Sequence, residues 1–228
     1  MIAYPHLTEP QKVKTTLGRA ALRERITRVA MAAHPPPPRI SYGRVIAGTN
    51  SFSRKLGEGA TGEVFLGEID CQPAAFKRLR LPEGATPAAR ATLLRAFRSE
   101  LSVLSAYRHA RLVRLLCFAE DDDPASLFPF VLVFELLEEG SLADWLRGPA
   151  GEPPKNAGPL TALERVTVAL GAASALAYLH GQREEGDGVA AEAPVLHRDI
   201  KSANVGLTRV PGGGAFCKSA RLRDCACA

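Results

Sequence analysis

The apolar positions of the chain follow a strand-like pattern in four stretches and a helix-like pattern in one stretch between them. The helix-like stretch is "TPAARATLLRAFRSELSVLSAYRH" (86–109), in which apolar residues recur at three- and four-residue spacing on one side. These residues are Leu93, Leu94, Phe97, Leu101 and Leu104. The predicted strand regions are "KLGEGATGEVFLGEI" (55–69), "PAAFKRL" (73–79), "RLVRLLCFAE" (111–120) and "FPFVLVFELL" (128–137).

The second half of the chain reads mainly as helices. "GSLADWL" (140–146) opens a short helix, and "TALERVTVALGAASALAYLH" (161–180) predicts a long helix that is largely apolar and therefore buried. "RVPGGGAFCKS" (209–219) reads as an enlarged turn. The order of strands, one helix, strands and then helices predicts an α+β fold with a small antiparallel sheet lobe and a helical lobe.

A further helix is predicted over residues 10–33, and the prolines of "HPPPP" (34–38) end it. The net charge is +5, and residues 1–48 hold eight basic against two acidic side chains, so the positive charge belongs to this N-terminal arm. Nucleic acid or an anionic membrane is a candidate partner for the arm. A solvated basic helix is favoured, because no aromatic residues are interleaved with the charges.

Composition places the chain among ordinary globular proteins, since 46% of its 228 residues are hydrophobic and 23% are charged. The sequence contains no run of eighteen apolar residues, so it predicts no membrane span. The N-terminus does not look like a secretory signal. The five cysteines are odd in number and scattered, which predicts reduced thiols and a cytoplasmic location. They are Cys71, Cys117, Cys217, Cys225 and Cys227, without the spacing of a zinc site.

Candidate chemistry begins with "LGEGATGEVFLG" (56–67), where Gly57, Gly59 and Gly62 are followed by Val64 in a G-x-G-x-x-G-x-V spacing. Glycines in a strand–turn–strand let backbone N–H groups approach phosphate oxygens, although three glycines in a hairpin can also be a plain turn. A strand continues after them where a dinucleotide-binding site would have a helix, and no Gly-Lys-Ser/Thr follows as in a P-loop.

Two charged residues on predicted elements are candidate partners of each other, one on a strand and one on the long helix. Lys77 ends "AAFK" on a strand, where an ammonium either reaches water or meets an anion. Glu100 lies at the border of the apolar stripe of the long helix, so it needs a partner. Lys77 is the natural candidate, and the alternative is an exposed glutamate that pairs with Arg98.

A third group of charged and polar residues lies in "VLHRDIKSANVGL" (195–207). This short loop between apolar flanks holds Asp199, Lys201 and Asn204, which are a carboxylate, an ammonium and a carboxamide.

These motifs, in this order, resemble the eukaryotic protein kinases, and "TNSFSRKLGEGATGEVFLG" and "LVFELLEEGSLADWL" look like the plant receptor-like and Pelle-type group. The resemblance covers Arg39 to Ala228 and divides the chain into an N-terminal helix and linker (1–38), a small lobe with hinge (39–137) and a partial large lobe (138–228).

The resemblance implies an enzyme that uses ATP and Mg²⁺ to phosphorylate protein hydroxyls, with Ser/Thr favoured by Lys201 two residues after Asp199. Asp199 would orient the acceptor hydroxyl, Lys201 would steady the γ-phosphate, and Lys77 would hold the α- and β-phosphates while pairing with Glu100. Asn204 and Asp224 would bind magnesium. The remaining nucleotide-binding residues implied are Gly57, Glu58, Gly59, Gly62, Val64, Ala75, Phe134, Glu135 and Leu137.

The end of the chain departs from the family pattern. Asp224-Cys225-Ala226 stands where the family has Asp-Phe-Gly, and the activation segment and later helices have no counterpart. An apolar face of residues 160–180 is therefore expected to be exposed and available to a partner. Two hypotheses follow: an incomplete chain of a working Ser/Thr kinase, or a pseudokinase-like module that binds ATP or a partner.

Overall fold

The computed structural model describes residues 37–59, 61–147, 160–181, 194–197, 199–210, 214–219 and 226–227. The helix predicted over residues 10–33 and the predicted magnesium ligand Asp224 lie outside these ranges. The predicted division at residues 38 and 137 stays a prediction.

A six-stranded sheet forms the first half of the described chain, with strand order β1-β5-β6-β4-β3-β2. Each predicted strand region contains at least one strand, so this part of the fold is confirmed. The sheet is not wholly antiparallel, because β1 pairs with β5 in parallel. The strands are β1 (Arg39–Ile40), β2 (Lys55–Gly59), β3 (Gly62–Ile69), β4 (Gln72–Leu79), β5 (Leu115–Glu120) and β6 (Phe130–Glu135).

One face of the sheet is covered by a short helix, α1 (Tyr42–Gly48), that the sequence pattern did not predict. Ser41 caps its N-terminus by accepting a hydrogen bond from the N–H of Arg44. Val45 is its one buried residue and joins a core with Phe76, Val131 and Val133. A helix of two turns with a single buried side chain has no periodicity to detect, which explains why it was missed.

The opposite face is covered by the long helix α2 (Pro87–Ala106), as predicted. Thr86 accepts a hydrogen bond from the N–H of Ala89 and caps the helix, and Pro87 occupies the first turn, where its missing N–H costs nothing. Phe97 is fully buried and stacks on Phe130 of β6, with ring centroids 4.7 Å apart. Because both faces of β6 are covered, its sequence is a continuous apolar run.

Two helices follow the sheet: α3 (Leu142–Arg147) and α4 (Ala162–Leu179). Thr161 and Glu164 form a capping box at the start of α4. The prediction that this helix is buried is only half right. One stripe is buried (Val168, Gly171, Ala175 and Leu179), whereas Leu163 and Leu170 are 76% and 66% exposed.

The exposed stripe confirms the expectation of an uncovered apolar face on this helix. Leu163, Val166 and Leu170 belong to it, at three- and four-residue spacing. By length and composition α4 could also cross a membrane, a test that core helices of globular domains pass as well.

The last strands form two small pairs: β7 (Val195–Leu196) with β10 (Ala226–Cys227), and β8 (Val205–Val210) with β9 (Gly214–Ser219). The enlarged turn predicted over residues 209–219 is wrong, because β8 and β9 pair residue for residue from Val205–Ser219 to Val210–Gly214. Pro211 and its following glycines hid the strand signal of the flanking residues.

Candidate active site

A cavity of about 420 Å³ lies between the sheet and the segment that follows β6. Its wall combines apolar side chains with a few charged ones, as small-molecule sites do. The lining residues are Arg54, Leu56, Gly57, Val64, Leu66, Ala75, Lys77, Val113, Phe134, Glu135, Leu136, Leu137, Glu138, Gly140, Ser141, Asp144, Ala203 and Gly206.

Many of the residues implied as nucleotide-binding line this cavity. They are Gly57, Val64, Ala75, Lys77, Phe134, Glu135 and Leu137. Glu58, Gly59 and Gly62 lie on the same hairpin but do not line it. Leu56 and Leu66 were missed, although Leu66 stands two residues from Val64 on one strand and alternation puts both on one face.

The glycine-rich segment forms the β2–β3 hairpin, in which Gly59 pairs with Gly62. Gly62 has φ +154°, and a Cβ there would collide with the backbone oxygen of Arg78 on β4, so only glycine fits. Gly57 differs, since nothing lies within 4 Å of where its Cβ would be. Its backbone therefore borders open space at the cavity, as a phosphate-approaching loop requires.

A charged cluster on the hairpin fixes it to β4. Glu63 is buried and accepts hydrogen bonds from Lys55 Nζ at 2.8 Å and from Arg78 Nε at 2.9 Å, and Arg80 Nη2 lies 2.9 Å from it. The hydrogen bond from Lys55 and those from Arg78 lower the pKa of Glu63 to about 2, against the opposing effect of burial. Glu58 also contacts Lys55, at 2.6 Å. Its predicted role with a nucleotide stays a prediction.

Lys77 and Glu100 form the ion pair that the sequence predicted. Lys77 Nζ donates to Glu100 Oε1 at 2.6 Å, and the two side chains are 5% and 20% exposed. Lys77 stands on β4 between Val64 and Leu132 of the neighbouring strands, and Glu100 projects from α2. The pairing with Arg98 considered from sequence is not the one observed. An ammonium held on a cavity wall in this way can meet an anionic ligand.

Asp199, Lys201 and Asn204 meet in one loop. Lys201 Nζ lies 2.9 Å from Asp199 Oδ1, and Asn204 Nδ2 donates to both Asp199 O and Asp199 Oδ2 at 2.8 Å. The hydrogen bonds from Lys201 and from Asn204 lower the pKa of Asp199, so its carboxylate is ionised and oriented at neutral pH.

Asn204 is buried at the end of a 3-10 turn (Ser202–Asn204), which explains how so short a loop holds its geometry. His197 supports the loop from the other side, because its carbonyl oxygen and its Nδ1 lie 2.9 and 3.3 Å from the backbone nitrogen of Asp199. His197 is 2% exposed, and its supporting role was missed from the sequence.

The loop reaches the cavity through its neighbours Ala203 and Gly206, which line the wall facing the sheet. Leu207 N–H donates to the carbonyl of Gly140 at 2.9 Å, and Ser141 and Gly206 form a β-bridge, so this part of β8 is fixed to the segment after β6. Nothing in the sequence pattern around Gly206 signalled that it belongs to the cavity wall.

A magnesium ion would find oxygen donors here. Both hydrogen bonds that Asn204 makes to Asp199 come from Nδ2, which leaves Oδ1 as its ligating atom, and carboxamide and carboxylate oxygens suit Mg²⁺. Within the described ranges, no group of three His, Cys, Asp or Glu side chains could hold a metal by itself. The predicted second ligand, Asp224, lies outside those ranges.

Comparison with known proteins agrees with this arrangement. The profile of the protein kinase domain matches residues 51–210. The chain is 35% identical over 170 residues to receptor-like protein kinase HERK 1 of Arabidopsis thaliana, covering 73% of this chain and 17% of that protein. It is 32% identical over 182 residues to receptor kinase-like protein Xa21 of Oryza sativa subsp. japonica, covering 78% of this chain and 16% of that protein.

Wall-associated receptor kinase-like 21 of Arabidopsis thaliana is 33% identical over 199 residues, covering 85% of this chain and 28% of that protein. The chain thus spans between 16% and 28% of the length of these relatives. A solved structure of an apo pseudokinase has the same fold, with a TM-score of 0.60 at 19% identity over 82% of this chain and 60% of the other. On the matched profile and the identity to these kinases, the chain belongs to the protein kinase family.

Proposed function

We propose that this chain binds ATP and carries the catalytic residues for transfer of its γ-phosphate to Ser/Thr hydroxyls of proteins. One observation carries the proposal. A buried Lys77–Glu100 pair on the wall of an apolar cavity is combined with the partly exposed Asp199 and Lys201, which buried Asn204 holds in a loop whose Ala203 lines the same cavity.

The cavity supplies the two environments that a nucleotide needs. Val64, Ala75 and Leu137 offer apolar surface to a base, and the segment from Glu135 to Leu137 offers backbone donors and acceptors. Lys77 brings a fixed positive charge to the α- and β-phosphates, and Glu100 orients it. Gly57 allows the hairpin backbone to approach the phosphates.

The loop supplies the groups for transfer. Asp199 accepts hydrogen bonds from Lys201 and Asn204 and is ionised, so it can orient an acceptor hydroxyl and take its proton. Lys201 is 54% exposed and can turn towards the γ-phosphate. Magnesium bound at Asn204 would neutralise charge on the phosphate oxygens. Ser/Thr acceptors are favoured by Lys201, two residues after Asp199, and by a 29% identical relative that is named a putative leucine-rich repeat receptor-like serine/threonine-protein kinase of Arabidopsis thaliana.

The substitution Asp199→Ala tests the proposal. It should reduce phosphate transfer from Mg-ATP to a mixed Ser/Thr- and Tyr-containing protein substrate by about 10²- to 10⁴-fold, because the group that orients the hydroxyl is lost. ATP affinity and the unfolding temperature should change little, since Asp199 lies in a partly exposed loop. Transfer and affinity are measured with radiolabelled ATP and by displacement of a fluorescent nucleotide, and the phosphorylated amino acid is identified after hydrolysis.

Asp122→Ala is the matched control, because this side chain is 93% exposed and pairs with Arg39 at the sheet edge. Its transfer rate should equal that of the unmodified chain. Equal transfer by Asp199→Ala, or phosphotyrosine as the product, would contradict the proposal.

A second candidate function is a module that binds ATP or a protein partner without efficient transfer. The observation that favours it is the exposed stripe of α4, formed by Leu163, Val166 and Leu170. Apolar stripes of this kind on a helix bind apolar surfaces of other proteins. Tight ATP binding with no Asp199-dependent transfer would favour this alternative, and Asp199-dependent turnover would exclude it.

A further inference from the structure

Gly206 of β8 lies against the side chain of Leu137 in a way that leaves no room for another side chain. A Cβ built at Gly206 would collide with Leu137 Cδ1 and would lie 3.3 Å from Cγ and 3.5 Å from Cβ of the same residue. Both residues line the cavity, Gly206 is buried and Leu137 is half-buried. The leucine therefore occupies the space that a side chain from β8 would otherwise fill.

The backbones on either side of this contact are held together by hydrogen bonds. Leu207 N–H donates to Gly140 O at 2.9 Å, and Glu139 N–H donates to Leu207 O at 3.3 Å. The bridge between Ser141 and Gly206 adds to this connection. A larger residue at position 206 must consequently displace the Leu137 side chain, whose χ angles are the softest part of the contact.

Leu137 faces a cavity whose other apolar wall comes from the sheet. Val64 on β3 and Ala75 on β4 line that wall. A flat apolar ring bound between the two walls would contact Val64 and Ala75 on one face and Leu137 on the other. Among the described residues, Gly206 is the residue of β8 that lines the cavity, and a glycine offers no side chain. Leu137 is therefore the apolar side chain available next to Gly206.

We propose that Leu137, positioned by the absence of a side chain at Gly206, is the platform for the purine ring in this site. Gly206 acts through Leu137 and is a positioning residue. The inference rests on the proposed ATP-binding function and deepens it. It predicts that positions 137 and 206 share one space, so that a side chain can be supplied from either position but not from both.

The test is a double-mutant cycle on the 228-residue chain, with ATP affinity measured by displacement of a fluorescent nucleotide. Leu137→Ala should weaken ATP binding roughly 10-fold, because a buried apolar contact with the ring is lost. Gly206→Leu should also weaken it roughly 10-fold, because the new side chain drives Leu137 into the ring site. The double variant should bind ATP within about 3-fold of the unmodified chain, since the platform is restored from β8.

Gly206→Ala and the double variant Gly206→Ala/Leu137→Ala are milder substitutions in case Gly206→Leu does not fold. They should show the same compensation in ATP affinity, with a smaller change. Leu170→Ala is the matched control, because it removes the same atoms from a leucine that is 66% exposed on α4, and it should leave ATP affinity unchanged. The unfolding temperature of each variant without nucleotide shows that loss of affinity is not loss of fold.

The outcomes separate the two proposals. If the unmodified chain does not bind ATP, the proposed function fails and the platform fails with it. If the unmodified chain binds ATP but the effects of Leu137→Ala and Gly206→Leu simply add, the platform alone is wrong. Compensation in the double variant supports it, because two unrelated structural defects would not cancel.

Discussion

The two charged groups of this site are built in opposite ways. Lys77 and Glu100 come from a strand and a helix 23 residues apart, and their side chains are 5% and 20% exposed. Lys201 and Asp199 come from one loop, and their side chains are 54% and 29% exposed. The first pair is part of the small-lobe core, whereas the second is held by local hydrogen bonds and remains open to solvent.

Under the proposed function, this difference suits the two pairs to different tasks. A buried ion pair is costly to break, because the remaining charge stays buried without its counter-charge. It can therefore hold a fixed charge for the part of the nucleotide that does not react. An exposed pair is worth little to stability and can rearrange when the second substrate arrives. Substitutions at the two ends should separate stability from turnover.

The largest effect on stability is expected at the buried Lys77–Glu100 pair. Glu100→Ala should lower the free energy of unfolding by about 3 kcal/mol, because Lys77 would remain buried without this carboxylate. The double variant Lys77→Met/Glu100→Leu should recover most of this loss, since a packed apolar pair removes the buried charge. Both variants should lose ATP affinity. Chemical denaturation and nucleotide displacement measure the two quantities.

Lys201→Ala is the matched experiment at the more exposed Lys201–Asp199 pair. It should change the free energy of unfolding by less than about 1 kcal/mol while reducing phosphate transfer. A loss of stability equal to that of Glu100→Ala would contradict this, because the two ion pairs would then contribute equally to the free energy of unfolding.

An intermediate effect is expected at Glu63, which joins the glycine hairpin to Arg78 and Lys55. Glu63→Gln should cost about 1–3 kcal/mol, because hydrogen bonds to a charged acceptor in a buried place are weakened. The pKa of Glu63 is lowered from 4.5 to about 2 in the folded chain, so its ionised form favours folding. This stabilisation is complete above the unfolded pKa and is lost as the pH falls from about 4.5 towards 2.

Unfolding midpoints measured across that pH range test the assignment. The difference between the unmodified chain and Glu63→Gln should shrink as the pH falls, since both then carry a neutral side chain. A difference that stays constant from neutral pH to pH 2.5 would show that Glu63 acts by packing and not by charge.

The smallest effect is expected at the cap of α4. Thr161→Ala should cost about 1 kcal/mol, because Thr161 Oγ1 accepts the N–H of Glu164 at 3.2 Å in the capping box. ATP affinity should stay unchanged, since neither residue lines the cavity. Thr167→Ala is a control within the same helix. A fall in ATP affinity with Thr161→Ala would mean that the helix end is coupled to the site.

The sheet and α2 could be predicted because their signals are local. Apolar residues of the strand-forming kind between glycines in "GEVFLGEI", and three- and four-residue spacing around Phe97, are signals that each element carries in its own residues. Elements without such a record were missed. The helix α1 has one buried residue, and β8 and β9 are strands because each pairs with the other.

The candidate site shows the same difference between local and long-range contacts. Asp199, Lys201 and Asn204 lie within six positions, so their meeting is dictated by the loop itself, and the motif in the sequence was enough to predict it. Lys77 and Glu100 were predicted as partners because a glutamate at the border of the apolar stripe needs a partner, and an ion pair would hold the ammonium of Lys77 against a phosphate. The competing pairing of Glu100 with Arg98 could be rejected only when the helix was seen to turn Glu100 towards β4.

The sequence by itself therefore determined the membership of the family, the strands of the six-stranded sheet with α2, and the meeting of Asp199, Lys201 and Asn204 in one loop, since all of these follow from short-range patterns. Only the tertiary structure decided that Glu63 gathers Lys55, Arg78 and Arg80, and that Leu137 fills the space beside Gly206. Such contacts join residues far apart in the chain, and close packing selects them through volume and charge that no local pattern records.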